Sequence, residues 1–266
     1  MLRRPCAKAL SGIAVYKKID ASSYATDKGS HLNFLPYYEK WFQPLLSRDI
    51  KFLELGIDKG GSLLLWRDYF ETGIIVGLDV NPVAIEDPTG RIRTYQGRQE
   101  DTVLLDRIAR EQAPEGFDVI IDDCSHIGAL TRASFWHLFP HHLKPGGMYI
   151  IEDIGTGYMD NWPDGKAYEP RRPAVNRFRP RLWFTDPVTS DGHFISLVRG
   201  LSSRLLAKAL RSSGFARKTG TPSHLYGMIG FAKEVVDYAC LGVLLPDNPV
   251  KEVHFSQNLM MVVKRS

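Results

Sequence analysis

Between residues 50 and 151 the chain alternates short, apolar runs with helix-like stretches, and the apolar runs give way to acids, glycines or amides. Ile50–Leu55, Ile74–Val80, Arg91–Tyr95, Phe117–Ile121 and Met148–Ile151 read as strands, with Gly60–Phe70, Thr102–Gln112 and Ala129–Leu143 as intervening helices. Continuously apolar strands need cover on both faces, and helices between them supply it as βαβ units. The expected fold is therefore α/β, a Rossmann-like, doubly wound, mostly parallel sheet. Pro145, Gly146 and Gly147 punctuate the start of the last of these strands. Glu252–Phe255 and Leu259–Val263 predict a C-terminal antiparallel hairpin turning across Ser256–Asn258.

The flanks differ in texture. Residues 1–49 form a helical and loop segment, in which Pro36 suits the first turn of a helix through Phe42 and Pro44 limits its extension. Residues 155–194 are rich in Gly, Pro, Asp, Arg and aromatics without clear period, which predicts an inserted lid or binding loop. Ile195–Leu210 returns to helical period, and residues 216–248 carry no clear assignment.

A length of 266 residues fits one large domain, and 44% hydrophobic with 24% charged residues excludes wholesale disorder. The net charge of +4 is too small to imply a nucleic-acid partner, and no recognisable RNA- or DNA-binding motif accompanies it. Cys6, Cys124 and Cys240 make neither a disulfide framework nor a CxxC pair, which fits a reducing compartment. No apolar run approaches the ~20 residues of a membrane span. Arg3, Arg4 and Lys8 ahead of Leu10–Tyr16 make a poor signal peptide. The expectation is a soluble, cytoplasmic protein without stable membrane insertion.

In an open α/β sheet, ligands sit beyond the carboxyl ends of the strands. There the chain places Glu54, Gly56, Gly60-Gly61 and Ser62 after the first strand, Asp79 at the end of the second, and Gln96 to Asp101 after the third. Glycines admit close backbone approach to a ligand, an acid at the second strand end suits ribose hydroxyls, and polar groups after the third suit an adenine edge. A dinucleotide site expects G-x-G-x-x-G. The spacing here, Gly56-x-x-x-Gly60-Gly61 led by Glu54, speaks instead for S-adenosylmethionine, which has no pyrophosphate to cradle.

The fourth strand ends in Asp122-Asp123-Cys124-Ser125-His126 and the fifth in Glu152-Asp153. Helix capping accounts for one or two of these carboxylates. Four at one sheet end would repel one another, and a divalent cation is the economical remedy, with hard oxygen donors suiting Mg²⁺. His126, three positions after Asp123, is a usable base near neutral pH beside a metal-activated hydroxyl.

The ordered set Thr26-Asp27-Lys28-Gly29, Leu53-Glu54-Leu55-Gly56, Gly60-Gly61-Ser62-Leu63…Trp66, Gly77-Leu78-Asp79, Ile121-Asp122-Asp123-x-Ser125-His126 and Ile151-Glu152-Asp153 resembles the metal-dependent class I methyltransferases that act on sugar hydroxyls, of the macrolide deoxysugar and rhamnosyl O-methyltransferase type. The likeness spans roughly residues 25–155 together with His254-Phe255…Asn258-Leu259. It implies S-adenosylmethionine and Mg²⁺ as cofactors, with residues 50–266 as the methyltransferase domain. Asp123 and Asp153 match the metal-binding acids, with Glu152 adjacent and Glu39 as a further carboxylate ligand. His126 matches the general base, and Glu54, Gly56, Asp79 and Gln99 match donor-binding positions, to which Ser62 and Asp122 are added. Cys124 replaces the usual glycine before Ser-His, and Arg98 stands where an acid is common.

Acceptor choice is assigned to the segment after Asp153, where Tyr158, Trp162, Tyr168 and Trp183 suit stacking on a sugar and Asp160 and Asp164 suit hydroxyls. Arg171, Arg172, Arg177, Arg179 and Arg181 crowd into the same stretch, with Arg171 taken as an acceptor contact. The expected acceptor is a saccharide or glycosylated small molecule. A catechol-like or other small natural product is the alternative, and a non-methylating nucleotide-binding protein a more distant one. The sequence leaves open whether the chain forms a homo-oligomer.

Overall fold

The computed structural model describes residues 17–29, 34–159, 161–167, 227–242 and 247–266. Seven strands form one sheet: β1 (Asp49–Leu55), β2 (Thr72–Asp79), β3 (Ile92–Gln96), β4 (Phe117–Asp122), β5 (Leu143–Ile151), β6 (Val250–Ser256) and β7 (Leu259–Lys264). Their order is β3-β2-β1-β4-β5-β7-β6. The first five pair in parallel, and β7 enters antiparallel between β5 and β6. The doubly wound sheet and the C-terminal hairpin expected from the sequence are both present. Strand order reverses between β1 and β4, which sets the ligand crevice beyond Leu55 and Asp122.

Helices α1 (Leu35–Phe42), α2 (Gly61–Tyr69), α3 (Thr102–Gln112), α4 (Gly128–His141), α5 (Pro163–Ala167) and α6 (Gly227–Leu241) complete the described fold. Pro36 lies in the first turn of α1, where its missing N–H costs nothing. Asp101 caps α3 by accepting the Leu104 N–H at 3.1 Å, and the stripe Leu105, Ile108 and Ala109 is buried. On one face of the sheet, α3, α4 and α6 bury Leu105, Phe135, Phe139 and Phe231 against Leu53 and Ile120. On the other, Tyr38, Phe42, Trp66 and Phe70 of the α1 and α2 region pack with Phe52.

The structure departs from the sequence reading in two places. Strand β5 starts at Leu143, so the Pro145-Gly146-Gly147 run lies inside it, and the pairing register with β4 shifts between Phe117 and Val119. A bulge admits residues that would break a regular ladder. Helix α6 falls in the stretch that carried no assignment; Met228, Phe231, Ala232 and Val235 form its buried stripe at helical spacing. Of the expected lid, the short 3₁₀ turn Ile154–Tyr158 and α5 are described. The expected helix Ile195–Leu210 and Arg171, with its neighbouring arginines, lie outside the described residues, as do Asp160, Tyr168 and Trp183. Among the described residues no helix is long and apolar enough to cross a membrane.

Candidate active site

Beyond the carboxyl ends of the strands lies a cleft of about 1000 Å³. Its wall carries six acids, Asp27, Asp58, Asp79, Glu100, Asp123 and Asp153, against three bases, Lys28, Lys59 and Arg98. Such a surface favours cationic ligands.

The β1–α2 turn brings its backbone against β4 at Gly56. Its φ is +83°, and a Cβ there would lie 2.2 Å from the Asp123 carbonyl oxygen, so only glycine fits. Asp79 ends β2 at the cleft wall. Its Oδ2 accepts the N–H groups of Ile57 and Asp58 at 3.0 and 3.2 Å, and Oδ1 accepts that of Asn81 at 2.9 Å. These bonds fix the carboxylate at the cleft wall. Gln99 also lines the cleft; its amide donates to Asp122 at 3.2 Å and its carbonyl accepts the Ser125 N–H at 3.1 Å.

Two expected donor-binding acids lie beneath the cleft instead of on it. Asp122 is 2% exposed and receives hydrogen bonds from Ser134 at 2.9 Å and Tyr149 at 3.1 Å. Burial pushes its carboxyl up to about 6 against those bonds. It therefore orients Gln99 and the strand end. Glu54 is 0% exposed, accepts the Ser62 hydroxyl at 2.8 Å and faces Lys28 at 3.1 Å. Burial raises its pKa above the ordinary value. Ser62 itself lines the cleft.

The metal and base candidates converge. One atom each of Asp123, His126 and Asp153 lies within 4.8 Å of the others. His126 Nε2 stands 3.8 Å from Asp123 Oδ1 and 3.9 Å from Asp153 Oδ2, too far for hydrogen bonds. Burial raises the Asp153 carboxyl above its ordinary value, His126 opposes this, and Asp123 adds to it. His126 and Asp153 both adopt left-handed backbone, at φ +52° and +55°. Strain of this kind persists where the surroundings hold it. Asp153 is held from the hairpin: the Asn258 amide donates to its Oδ1 at 2.6 Å, and the Asn258 carbonyl accepts the Ile154 N–H at 3.2 Å. Trp162 packs edge-on against the His126 ring at 5.0 Å, where an acceptor-contacting residue was expected.

Glu152 and Glu39 stand outside this trio. The Glu152 Oε1 is taken by Lys28 Nζ at 2.6 Å and by the Tyr38 hydroxyl. Burial and the nearby Asp123 push Glu152 up to about 8 despite Lys28. Glu39 is buried on α1 and accepts the Ile19 N–H at 2.7 Å, tying the N-terminal segment to that helix. Tyr158 lies on the 3₁₀ turn and is not among the cleft-lining residues, while Asp164 accepts the N–H groups of Gly128 and Met228 at 2.7 and 2.8 Å, capping α4 and α6. Asp164 thus serves the helix that follows His126 instead of an acceptor hydroxyl.

Lys28 and Asn258 carried no assigned role in the sequence reading, although both sit in its motifs. Lys28 is 2% exposed, and its ammonium meets Glu54, Asp123 and Glu152 at 3.1, 2.8 and 2.6 Å. Burial would lower its pKa, but the three carboxylates hold it well above the ordinary value. The close fit of its segment explains Gly61: a Cβ there would meet the Ala25 carbonyl at 2.1 Å. A lysine inside a Thr-Asp-Lys-Gly run ahead of an acid-rich sheet edge was the available signal.

No family model matches the chain. Among curated proteins, mycinamicin VI 2''-O-methyltransferase of Micromonospora griseorubida is 35% identical over 229 residues, covering 80% of this chain and 51% of that protein. Demethylmacrocin O-methyltransferase of Streptomyces fradiae is 34% identical, covering 81% and 52%. A tetracenomycin-C rhamnosyl 3'-O-methyltransferase of Streptomyces olivaceus is 42% identical over 150 residues, covering 53% and 37%. A solved MycE methyltransferase of mycinamycin biosynthesis, in complex with Mg, SAH and mycinamycin VI, superposes with a TM-score of 0.64 at 29% identity, covering 94% of this chain and 56% of that one. The chain spans about half the length of the first two curated relatives. With this fold and these relatives, the chain is a homologue of the macrolide and deoxysugar O-methyltransferases and carries the class I methyltransferase fold that its motifs led us to expect.

Proposed function

We propose that the chain transfers a methyl group from S-adenosylmethionine to a hydroxyl of a saccharide or glycosylated small molecule, assisted by Mg²⁺. The observation that carries this reading is the convergence of Asp123, His126 and Asp153 at the edge of a large acidic cleft. The relatives named above, which methylate glycosylated natural products by name, support the acceptor class.

The donor set fits a hard divalent cation. Asp123 and Asp153 offer carboxylate oxygens 3.8 and 3.9 Å from His126 Nε2, close enough for charge attraction but too far for hydrogen bonds. These two acids would hold the metal, which when bound lowers the pKa of a coordinated hydroxyl. Glu152 stands behind them through the Lys28 ammonium that it shares with Asp123. Gly56, Ser62, Asp79 and Gln99 form the donor wall, and S-adenosylmethionine supplies the sulfonium methyl there. His126 takes the acceptor proton. Its ring is 8% exposed and is braced by Trp162, which excludes water from one side. Trp162 offers the acceptor an apolar face. Arg171 is retained as an acceptor contact in this proposal.

Methyl transfer to a panel of deoxysugar and rhamnose glycosides, run beside catechols, with and without EDTA, tests the reading. Transfer to the glycosides that EDTA abolishes is the expected result. His126→Ala should lower turnover by about 10²–10⁴-fold while SAH binding by calorimetry stays unchanged. Transfer to catechols alone, or tight NAD binding without SAH binding, would overturn it.

A further inference from the structure

A second titratable cluster lies away from the cleft. Asp106 on α3 presents one carboxylate oxygen, Oδ1, to two imidazoles: His137 Nε2 on α4 at 2.8 Å and His142 Nε2 just past the α4 end at 2.7 Å. The three donor atoms lie within 4.8 Å of one another. The two rings stand 5.4 Å apart between centroids, and His141 adds a third ring 6.1 and 6.4 Å from them. All three site side chains are reachable from solvent, at 20%, 20% and 42% exposure.

The cluster is separate from the reaction centre. The His142 carbonyl accepts the Phe117 N–H at the start of β4, whereas the cleft lies beyond Asp122 at its other end. A six-residue strand separates them by roughly 16 Å at ~3.3 Å per residue.

We propose that Asp106, His137 and His142 form a binding site for a borderline transition-metal ion, Zn²⁺ in the first instance, that clamps α3 to the C-terminal end of α4. Two imidazole nitrogens and one carboxylate oxygen are the donor set of open zinc sites, and imidazole disfavours Mg²⁺. Tetrahedral bonds of about 2.0–2.1 Å set donor atoms roughly 3.3 Å apart, so each imidazole nitrogen moves away from Asp106 Oδ1 by roughly half an ångström as the ion enters. The two imidazoles coordinate as neutral rings through Nε2, carrying their remaining proton on Nδ1, and any proton held in excess of this leaves to solvent. The carbonyl ends of α4 add negative potential, which favours a cation at that helix terminus. His141 or water completes the shell.

Zinc titration by calorimetry compares the parent, Asp153→Asn, His137→Ala/His142→Ala, and the triple combination, each checked for fold by circular dichroism. The Asp153→Asn background weakens metal binding in the cleft without touching the α3–α4 cluster, so failure here and failure of the methyltransferase reading are distinguishable. Loss of one zinc equivalent with the histidine pair, in both backgrounds, is expected, together with a zinc-dependent rise in Tm in the parent that the pair variant lacks. Equal zinc stoichiometry with and without the pair would overturn the site. Should the pair variant not fold, cobalt(II) titration of Asp153→Asn decides: visible tetrahedral bands that Asp106→Asn diminishes support the site, and their absence overturns it.

Discussion

Lys28 Nζ lies 2.8 Å from Asp123 Oδ2, so a residue before the first strand compensates the acid that begins the loop after β4. The same ammonium meets Glu54 and Glu152, so Lys28 and two of its three acids are buried together while Asp123 reaches the cleft wall. Removing one partner of a buried network strands the others. Lys28→Met should therefore destabilise the protein by about 3–5 kcal/mol in urea unfolding. Adding Glu152→Gln should recover part of that loss, because the two sites couple. Strictly additive losses would show that Lys28 does not hold these acids together.

Asp87, between β2 and β3, gives a pH signature. Burial raises its carboxyl, but the Thr89 hydroxyl at 2.6 Å and the N–H groups of Ile92, Thr89 and Arg91 outweigh this and hold it well below the ordinary carboxylate range. A depressed folded pKa contributes stability above the unfolded value of about 3.9 and loses it as pH falls through that region. The stability gap between parent and Asp87→Ala should thus be level from neutral pH down to about pH 5 and shrink below about pH 4. Chemical denaturation across that range measures it, and a gap that widens in acid would refute the assignment.

Much of this architecture was legible because it rests on local period. Strand runs such as Phe117–Ile121 are mostly apolar, and the strand that they form is buried on both faces. The converging trio was legible for a similar reason: strand ends at a parallel edge must be neighbours. That Asp122 and Glu54 lie beneath the cleft wall was not legible, because an acid at a strand end can point into the cleft or beneath it, and alternation along one strand does not say which. Glu39 on α1 and Asp164 on α5 became backbone acceptors, roles that depend on where Ile19 and Met228 arrive from far along the chain. Lys28 was opaque for the opposite reason, since a lysine's default is solvent and only the folded acids reverse that.

Gly56 links the donor wall to the acid loop, and its contact with the Asp123 carbonyl makes one substitution report on both. In Gly56→Ala the left-handed φ and the 2.2 Å approach both oppose the new methyl. The loop carrying Asp123 and His126 must shift for the chain to fold. SAH affinity and metal-dependent turnover should fall together, each by at least tenfold, with a loss of stability of about 1–3 kcal/mol. A variant with unchanged SAH affinity would show that the β1–α2 turn does not form the donor wall.

Asn258 tests whether the terminal hairpin is part of the site or only its edge. It turns between β6 and β7 and donates to Asp153 Oδ1 at 2.6 Å, holding a left-handed residue whose other carboxylate oxygen faces His126. A group that orients a metal ligand is worth about 10–100-fold in metal affinity. Asn258→Ala should raise the Mg²⁺ concentration needed for half-maximal turnover by about that factor, with SAH affinity unchanged because the proposed donor wall belongs to β1, β2 and the loop after β3. Saturating Mg²⁺ should then restore most of the turnover, which a general loss of folding would not permit. If SAH binding and stability fell while the Mg²⁺ requirement stayed put, Asn258 would be a strut of the hairpin and Asp153 would be held by its own turn.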